Sequence, residues 1–124
     1  MERLIKVGTA GWSYTDWEGR VYPASAGKRL DHLAYLAQYF DVIEINSTFY
    51  RPPTPKASAD WARRVSFNAQ FQFTLKLWQK FTHEREGISE QDVAVFKAGM
   101  DPLAEAGILG CLLLQFPWSF KNVP

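Results

Sequence analysis

Apolar and polar positions alternate along Val42-Ile43-Glu44-Ile45-Asn46-Ser47, which predicts a strand with Ile43 and Ile45 on one face and Glu44 and Asn46 on the other. The same alternation runs through Phe71–Trp78. There Phe71, Phe73, Leu75 and Leu77 share a face, and Gln72, Thr74, Lys76 and Trp78 share the opposite one. Two further apolar runs predict strands over Leu4–Thr9, ending at Gly8-Thr9-Ala10-Gly11, and over Cys111–Phe116, ended by Pro117. Between the strands the period lengthens. Leu30, Leu33, Ala34, Ala37 and Phe40 predict a helix over Asp31–Phe40, and Ala57, Trp61 and Val65 predict another over Thr54–Val65. Pro55 suits the first turn of that helix, where N–H groups are free in any case. Ser89-Glu90-Gln91-Asp92 reads as a capped helix start. Val93, Phe96, Met100 and Leu103 continue it, with Gly99 and Pro102 expected to kink it and Gly107–Gly110 as the exit turn.

Strands alternating with helices specify an α/β fold with a parallel sheet and right-handed crossovers. Four such units suit a small doubly wound sheet or half of a barrel. No linker or low-complexity stretch divides residues 1–124, so a single domain is expected.

Composition narrows the partners. An apolar share of 47% with 22% charged residues fits a globular protein, and a formal net charge of +1 argues against nucleic acid. Lys28-Arg29 and Arg63-Arg64 read as solvated surface. Met1–Lys6 lacks a signal-peptide pattern, and no run reaches the ~18 apolar residues that a membrane helix needs. The single cysteine, Cys111, excludes an internal disulfide and points to a reducing cytoplasm; its apolar surroundings predict a buried, inert thiol. The aromatic share is high, at 15%.

Four motifs occur in order: Gly8-Thr9-Ala10-Gly11-Trp12-Ser13-Tyr14, Glu44-Ile45-Asn46-Ser47-Thr48-Phe49-Tyr50, Lys76 with Trp78 and Thr82-His83, and Leu114-Gln115-Phe116-Pro117. With these motifs the chain resembles the YecE-like family, also called domain of unknown function 72, over nearly its whole length. The resemblance implies a TIM-type (β/α) barrel of roughly twice this length. This chain would supply about four β/α units, its N-terminal half. The resemblance implies no established activity and identifies no cofactor. Half a barrel exposes two strand edges, so the chain is expected to pair with another copy or to belong with a C-terminal half.

In a barrel the C-terminal strand ends form the active face. The strand phases then direct Ile5/Val7, Ile43/Ile45, Phe73/Leu75 and Leu112/Leu114 towards the helices. Gly8/Ala10, Glu44/Asn46, Thr74/Lys76 and Leu113/Gln115 point inward. Glu44 is the candidate acid or base, and Lys76 its electrostatic partner or, with a lowered pKa, a nucleophile. The competing reading is a structural ion pair. His83 is a further acid–base candidate in the loop after the third strand, whereas His32, on a helix, reads as surface. Asn46 and Gln115 can orient a sugar, carboxylate or phosphate. Trp12, Tyr14, Trp17, Tyr50 and Trp78 can line a ligand mouth or simply pack it. Glu44, His83 and Asn46 form no recognised metal spacing, and no phosphate-loop or dinucleotide fingerprint is present. Two functions follow from these residues. One is acid–base catalysis on a small polar, sugar- or phosphate-like substrate. The other is a non-catalytic module that binds carbohydrate or single-stranded nucleic acid.

Overall fold

A computed structural model describes residues 5–123. Four parallel strands lie side by side in sequence order: β1 (Gly8–Ala10), β2 (Val42–Ile45), β3 (Gln72–Lys76) and β4 (Leu109–Leu113). The crossovers contain α1 (His32–Leu36), α2 (Pro55–Val65) and α3 (Glu90–Glu105). This consecutive parallel order is that of four β/α units of a TIM-type barrel.

The alternation in β2 and β3 does what it predicts. Ile43, Ile45, Phe73 and Leu75 are buried under the helices with Leu33, Leu36, Val65 and Leu103. Glu44, Thr74 and Lys76 occupy the opposite, helix-free face and are half-buried. The helices start where their caps dictate. The side chains of Asp31, Thr54 and Ser89 each accept a backbone N–H in the first turn. Ser89 and Asp92 close a reciprocal capping box.

Several expectations need correction. The predicted first strand shortens to Gly8–Ala10, and its proposed start at Leu4 lies outside the described residues. Ile5 and Val7 do not meet the helices: they are 81% and 70% exposed, and among the described residues no helix covers them. The fourth strand begins two residues earlier than the expected Cys111. A register irregularity against β3 lets Leu109 and Leu112 both face the core, and Leu114, past the end of the strand, is exposed. Cys111 is exposed rather than buried. The first helix ends at Leu36, with Ala37 as its cap, instead of running to Phe40. α3 continues through Gly99 and Pro102. Arg64 is not simple solvated surface, since it grips Asp31 with two guanidinium nitrogens at 2.7–3.1 Å and ties α2 to the start of α1. His32 is half-buried, its ring tilted against Tyr22 at 4.1 Å, with Nε2 2.9 Å from Glu18 Oε1.

The caps make folding sensitive to acid. Arg64 holds the Asp31 carboxyl below its usual range. Lys80 and the Ser89 cap hold Asp92 at about 2, against an ordinary 3.8. A depressed carboxylate pKa adds stability that is complete above the unfolded value and is lost as pH falls through the folded value. Thermal midpoints should therefore hold above pH 3.8 and fall towards about 2. Asp92→Asn should flatten part of that slope; an unchanged slope would remove Asp92 from the account.

Candidate functional site

The luminal mouth is built where three strands end. β2 stops at Ile45, and Ser47–Phe49 form a tight 3-10 turn behind Asn46. Thr48 in that turn is buried. Its hydroxyl donates to the Lys76 carbonyl at 2.7 Å and lies 3.0 Å from the Ile45 carbonyl. One side chain thus joins the ends of β2 and β3. β1 leaves the sheet at Gly11, whose φ of +78° suits glycine and whose N–H donates to the Glu44 carbonyl at 2.8 Å.

Glu44 and Lys76 come together as their strand phases predict. Lys76 Nζ lies 3.9 Å from Glu44 Oε1, and the side chains are 23% and 25% exposed, respectively. That separation is beyond hydrogen-bond range. A partly exposed pair of this kind contributes at most about 1 kcal/mol to folding. It is a weak clamp, and it leaves a carboxylate and an ammonium free to engage a third group.

Asn46 Oδ1 is shielded from solvent and has no hydrogen-bond partner. It borders a cleft of about 240 Å³ with Gly11, Trp12, Tyr14 and Ser47. A second cleft of about 290 Å³ continues past Ser47 to Arg51, Thr54 and Trp61. Leaving a buried polar atom unsatisfied costs about 1–3 kcal/mol. A ligand O–H or N–H would recover it.

The aromatic residues divide into two groups rather than one wall. Trp12 packs on Trp61 and Phe73, and Trp17 bridges Tyr14 and Tyr22. The Tyr22 hydroxyl donates to the Trp12 carbonyl. Burial, with Glu18 and Tyr14 nearby, pushes the Tyr22 pKa up to about 12, which keeps that donor protonated. Of this group, Tyr14 is the exposed member at the cleft. The second group is Phe49, Tyr50 and His83. Tyr50 is exposed and packs edge-on against Phe49.

His83 sits in a π-helical turn, Lys80–Glu84, directly after β3. Such turns recur at functional sites. The Thr82 hydroxyl is 2.9 Å from His83 Nδ1, and the imidazole meets the Phe49 ring at 5.0 Å. These neighbours anchor the ring through Nδ1 and its face-to-edge contact with Phe49. Lys80 pins the turn to α3 through Asp92 at 2.8 Å and lies over Trp78, which itself packs on Phe81. Gln115 is exposed two residues beyond β4, and its side chain makes no hydrogen bond among the described residues. The geometry therefore joins Glu44 and Lys76, sets Asn46 and Tyr14 around a cleft, and leaves Tyr50, Trp78, His83 and Gln115 in the segments that follow the strands. Thr48, Thr82 and Lys80 were not singled out by sequence. Thr48 and Lys80 reach backbone and a carboxylate on other elements, Thr82 holds the adjacent His83, and only their positions after strand ends, with Thr48 and Thr82 inside the motifs, hinted at this. Among the described residues, no three His, Cys, Asp or Glu side chains gather as a metal site. Among them, too, no helix is long and apolar enough to cross a membrane.

The model of a family described as protein of unknown function DUF72 matches residues 6–124. Two crystal structures of a DUF72 family protein from Enterococcus faecalis, at 2.52 and 3.10 Å resolution, are similar to this chain at 21% identity, with TM-scores of 0.68 and 0.74. They match 95% and 97% of this chain, which spans 41% and 42% of theirs. At that identity the likeness speaks for the fold alone. No curated protein matches the sequence.

Proposed function

The chain belongs to the DUF72 family, whose biochemical activity is not established, and from that premise we propose that the mouth at the ends of β1–β3 binds a small polar ligand and acts on it by acid–base chemistry. The observations that carry this reading are the unpartnered, shielded Asn46 Oδ1 at the end of β2 and the loosely paired Glu44 and Lys76 on the strands that end there. Asn46 accepts a donor of the ligand and fixes its orientation. Glu44 takes or returns a proton, and Lys76 steadies a developing negative charge on an oxygen. Gln115 and His83 serve from the segments that follow the strands, with His83 as the second proton-handling group. A sugar or sugar phosphate combines the donors and oxygens that such a site requires. The exposed free thiol of Cys111 suits a reducing compartment, so we assign the reaction to the cytoplasm.

Pools of sugars and sugar phosphates, incubated with the protein and followed by mass spectrometry, test the reading. Glu44→Gln should lower any turnover by about 10²–10⁴-fold with an unchanged thermal midpoint. A variant that loses the fold instead makes the pair structural.

The exposed Tyr14 at the cleft favours a second reading, a binding module for carbohydrate. Under it Tyr14→Ala weakens binding of a sugar and no pool shows turnover. A net charge of +1 counts against single-stranded nucleic acid as the ligand.

A further inference from the structure

The cleft of about 290 Å³ past Ser47 is lined wholly by side chains from residues 47–61, between the end of β2 and the middle of α2. Its form comes from one unbroken stretch of chain, and that stretch is held fast. The N–H groups of Tyr50 and Arg51 both donate to the Ser47 carbonyl, at 3.2 and 3.3 Å. Pro52 and Pro53 lock the next two φ angles. Ser58, buried on α2, ties that helix to the Gly99 carbonyl of α3. The walls are therefore set before a ligand arrives, which lowers the cost of binding one.

The polar side chains on those walls are donors. Arg51 is exposed, and among the described residues its guanidinium has no ion pair and no hydrogen bond. Arg63 and Arg64 are instead matched to Asp60 and Asp31, and Arg85 lies over Phe120. The Ser47 hydroxyl makes no hydrogen bond among the described residues. Thr54 Oγ1 accepts the Ala57 N–H at 3.1 Å, so its own proton is free to donate. None of the lining side chains is acidic. The first turn of α2 adds little, because Pro55 has no N–H, Ala57 gives its own to Thr54 Oγ1 and Ser58 gives its own to the Thr54 carbonyl. The cleft is thus a site of side chains: a planar cation and two hydroxyls with no carboxylate among them. That set suits a phosphoryl group, whose oxygens a guanidinium grips through two parallel hydrogen bonds. This cleft also adjoins the first. Ser47 lines both, and Trp61 of the second meets Trp12 of the first at 5.9 Å. One ligand spanning the two would set its polar body at Asn46 and its phosphate at Arg51. We propose that the cleft is a phosphate subsite of the mouth, with Arg51 as its gripping residue and Ser47 and Thr54 as further donors, so that the ligand is a sugar phosphate and not a free sugar. The proposal rests on the reading of the mouth as a site for a small polar ligand.

Titration calorimetry of the native protein with inorganic phosphate should show binding at one site. Arg51→Gln should weaken it about 10–100-fold at an unchanged thermal midpoint, since the guanidinium has no partner within the fold to lose. Arg51→Lys should fall between parent and Arg51→Gln, because it keeps the charge and loses the fork. Arg63→Gln, exposed on α2 and outside the cleft, should leave phosphate affinity unchanged. Acetate should bind several-fold more weakly than phosphate. The subsite is overturned if phosphate does not bind, if Arg51→Gln binds it as the parent does, if Arg63→Gln loses as much, or if acetate binds equally well. Incubation with the sugar and sugar phosphate pools separates this proposal from the acid–base reading. Phosphate bound through Arg51 with no turnover in any pool removes the chemistry and keeps the subsite. Turnover confined to unphosphorylated sugars keeps the chemistry and removes the subsite.

Discussion

Phe73→Ala should destabilise the protein by about 3–5 kcal/mol, whereas Thr74→Ala, one residue further along β3, should cost about 0.5–1 kcal/mol. The two positions are adjacent in β3 but occupy opposite faces, and they differ in the size of the side chain removed. Phe73 is completely buried, with its ring against Trp12, Trp61 and Phe71. Alanine there removes apolar contact from three elements and leaves a cavity that aromatic neighbours cannot fill. Thr74 pairs with Glu44 on the luminal face and is half-buried. Against a typical total of about 5–15 kcal/mol, the first change leaves a marginal protein and the second a nearly normal one. Urea titration reads both. Equal costs at the two positions would mean that the luminal face is packed as tightly as the helix face, and the mouth would no longer be a ligand site.

That division of faces was legible in the sequence because β2 and β3 alternate cleanly. Glu44 and Lys76 follow from parity alone. Apolar character at the edges was harder to read, since it states that a side chain avoids water and not what covers it. Ile5 and Val7 carry the pattern of helix-facing residues, yet among the described residues no helix covers them. The run from Ile108 to Phe116 is apolar at nearly every position, so no alternation fixes its phase. The irregularity beside Gly110 then inserts a residue, and Leu109 and Leu112 share a face three positions apart. Leu114 keeps the parity of Leu112 but lies past the end of β4 at Leu113, and Cys111 is exposed although its neighbours are apolar. The π-helical turn at Lys80–Glu84 has no periodic signature, because it depends on Lys80 reaching Asp92 on the next helix. The orphan acceptor on Asn46 could not be read either. Polarity marks a residue as costly to bury, but only the surrounding loops decide whether a partner is present.

Gly99→Ala should destabilise the protein by about 1–3 kcal/mol, although the same change in an isolated helix is favourable. Two terms compete. Alanine is worth about 0.8–1.0 kcal/mol more than glycine inside a helix. Gly99, however, lies where α3 touches the loop before α2, and an added Cβ would stand 2.1 Å from the Pro53 carbonyl oxygen. That oxygen belongs to backbone and cannot swing aside as a flexible side chain would. The contact is tightened further by Ser58, buried on α2, whose hydroxyl donates to the Gly99 carbonyl at 2.6 Å. The helices must therefore part, and Pro53 must move with them. Pro53 borders the cleft that continues past Ser47 to Arg51 and Thr54. The strain consequently reaches the mouth: Gly99→Ala should lower the urea midpoint and also weaken whatever ligand the site accepts. Ser58→Ala removes the hydroxyl without forcing the helices apart, so it should lower stability and leave affinity unchanged. A Gly99→Ala protein more stable than the parent would show that α3 slides freely over Pro53, and the close contact would then have no part in shaping the site.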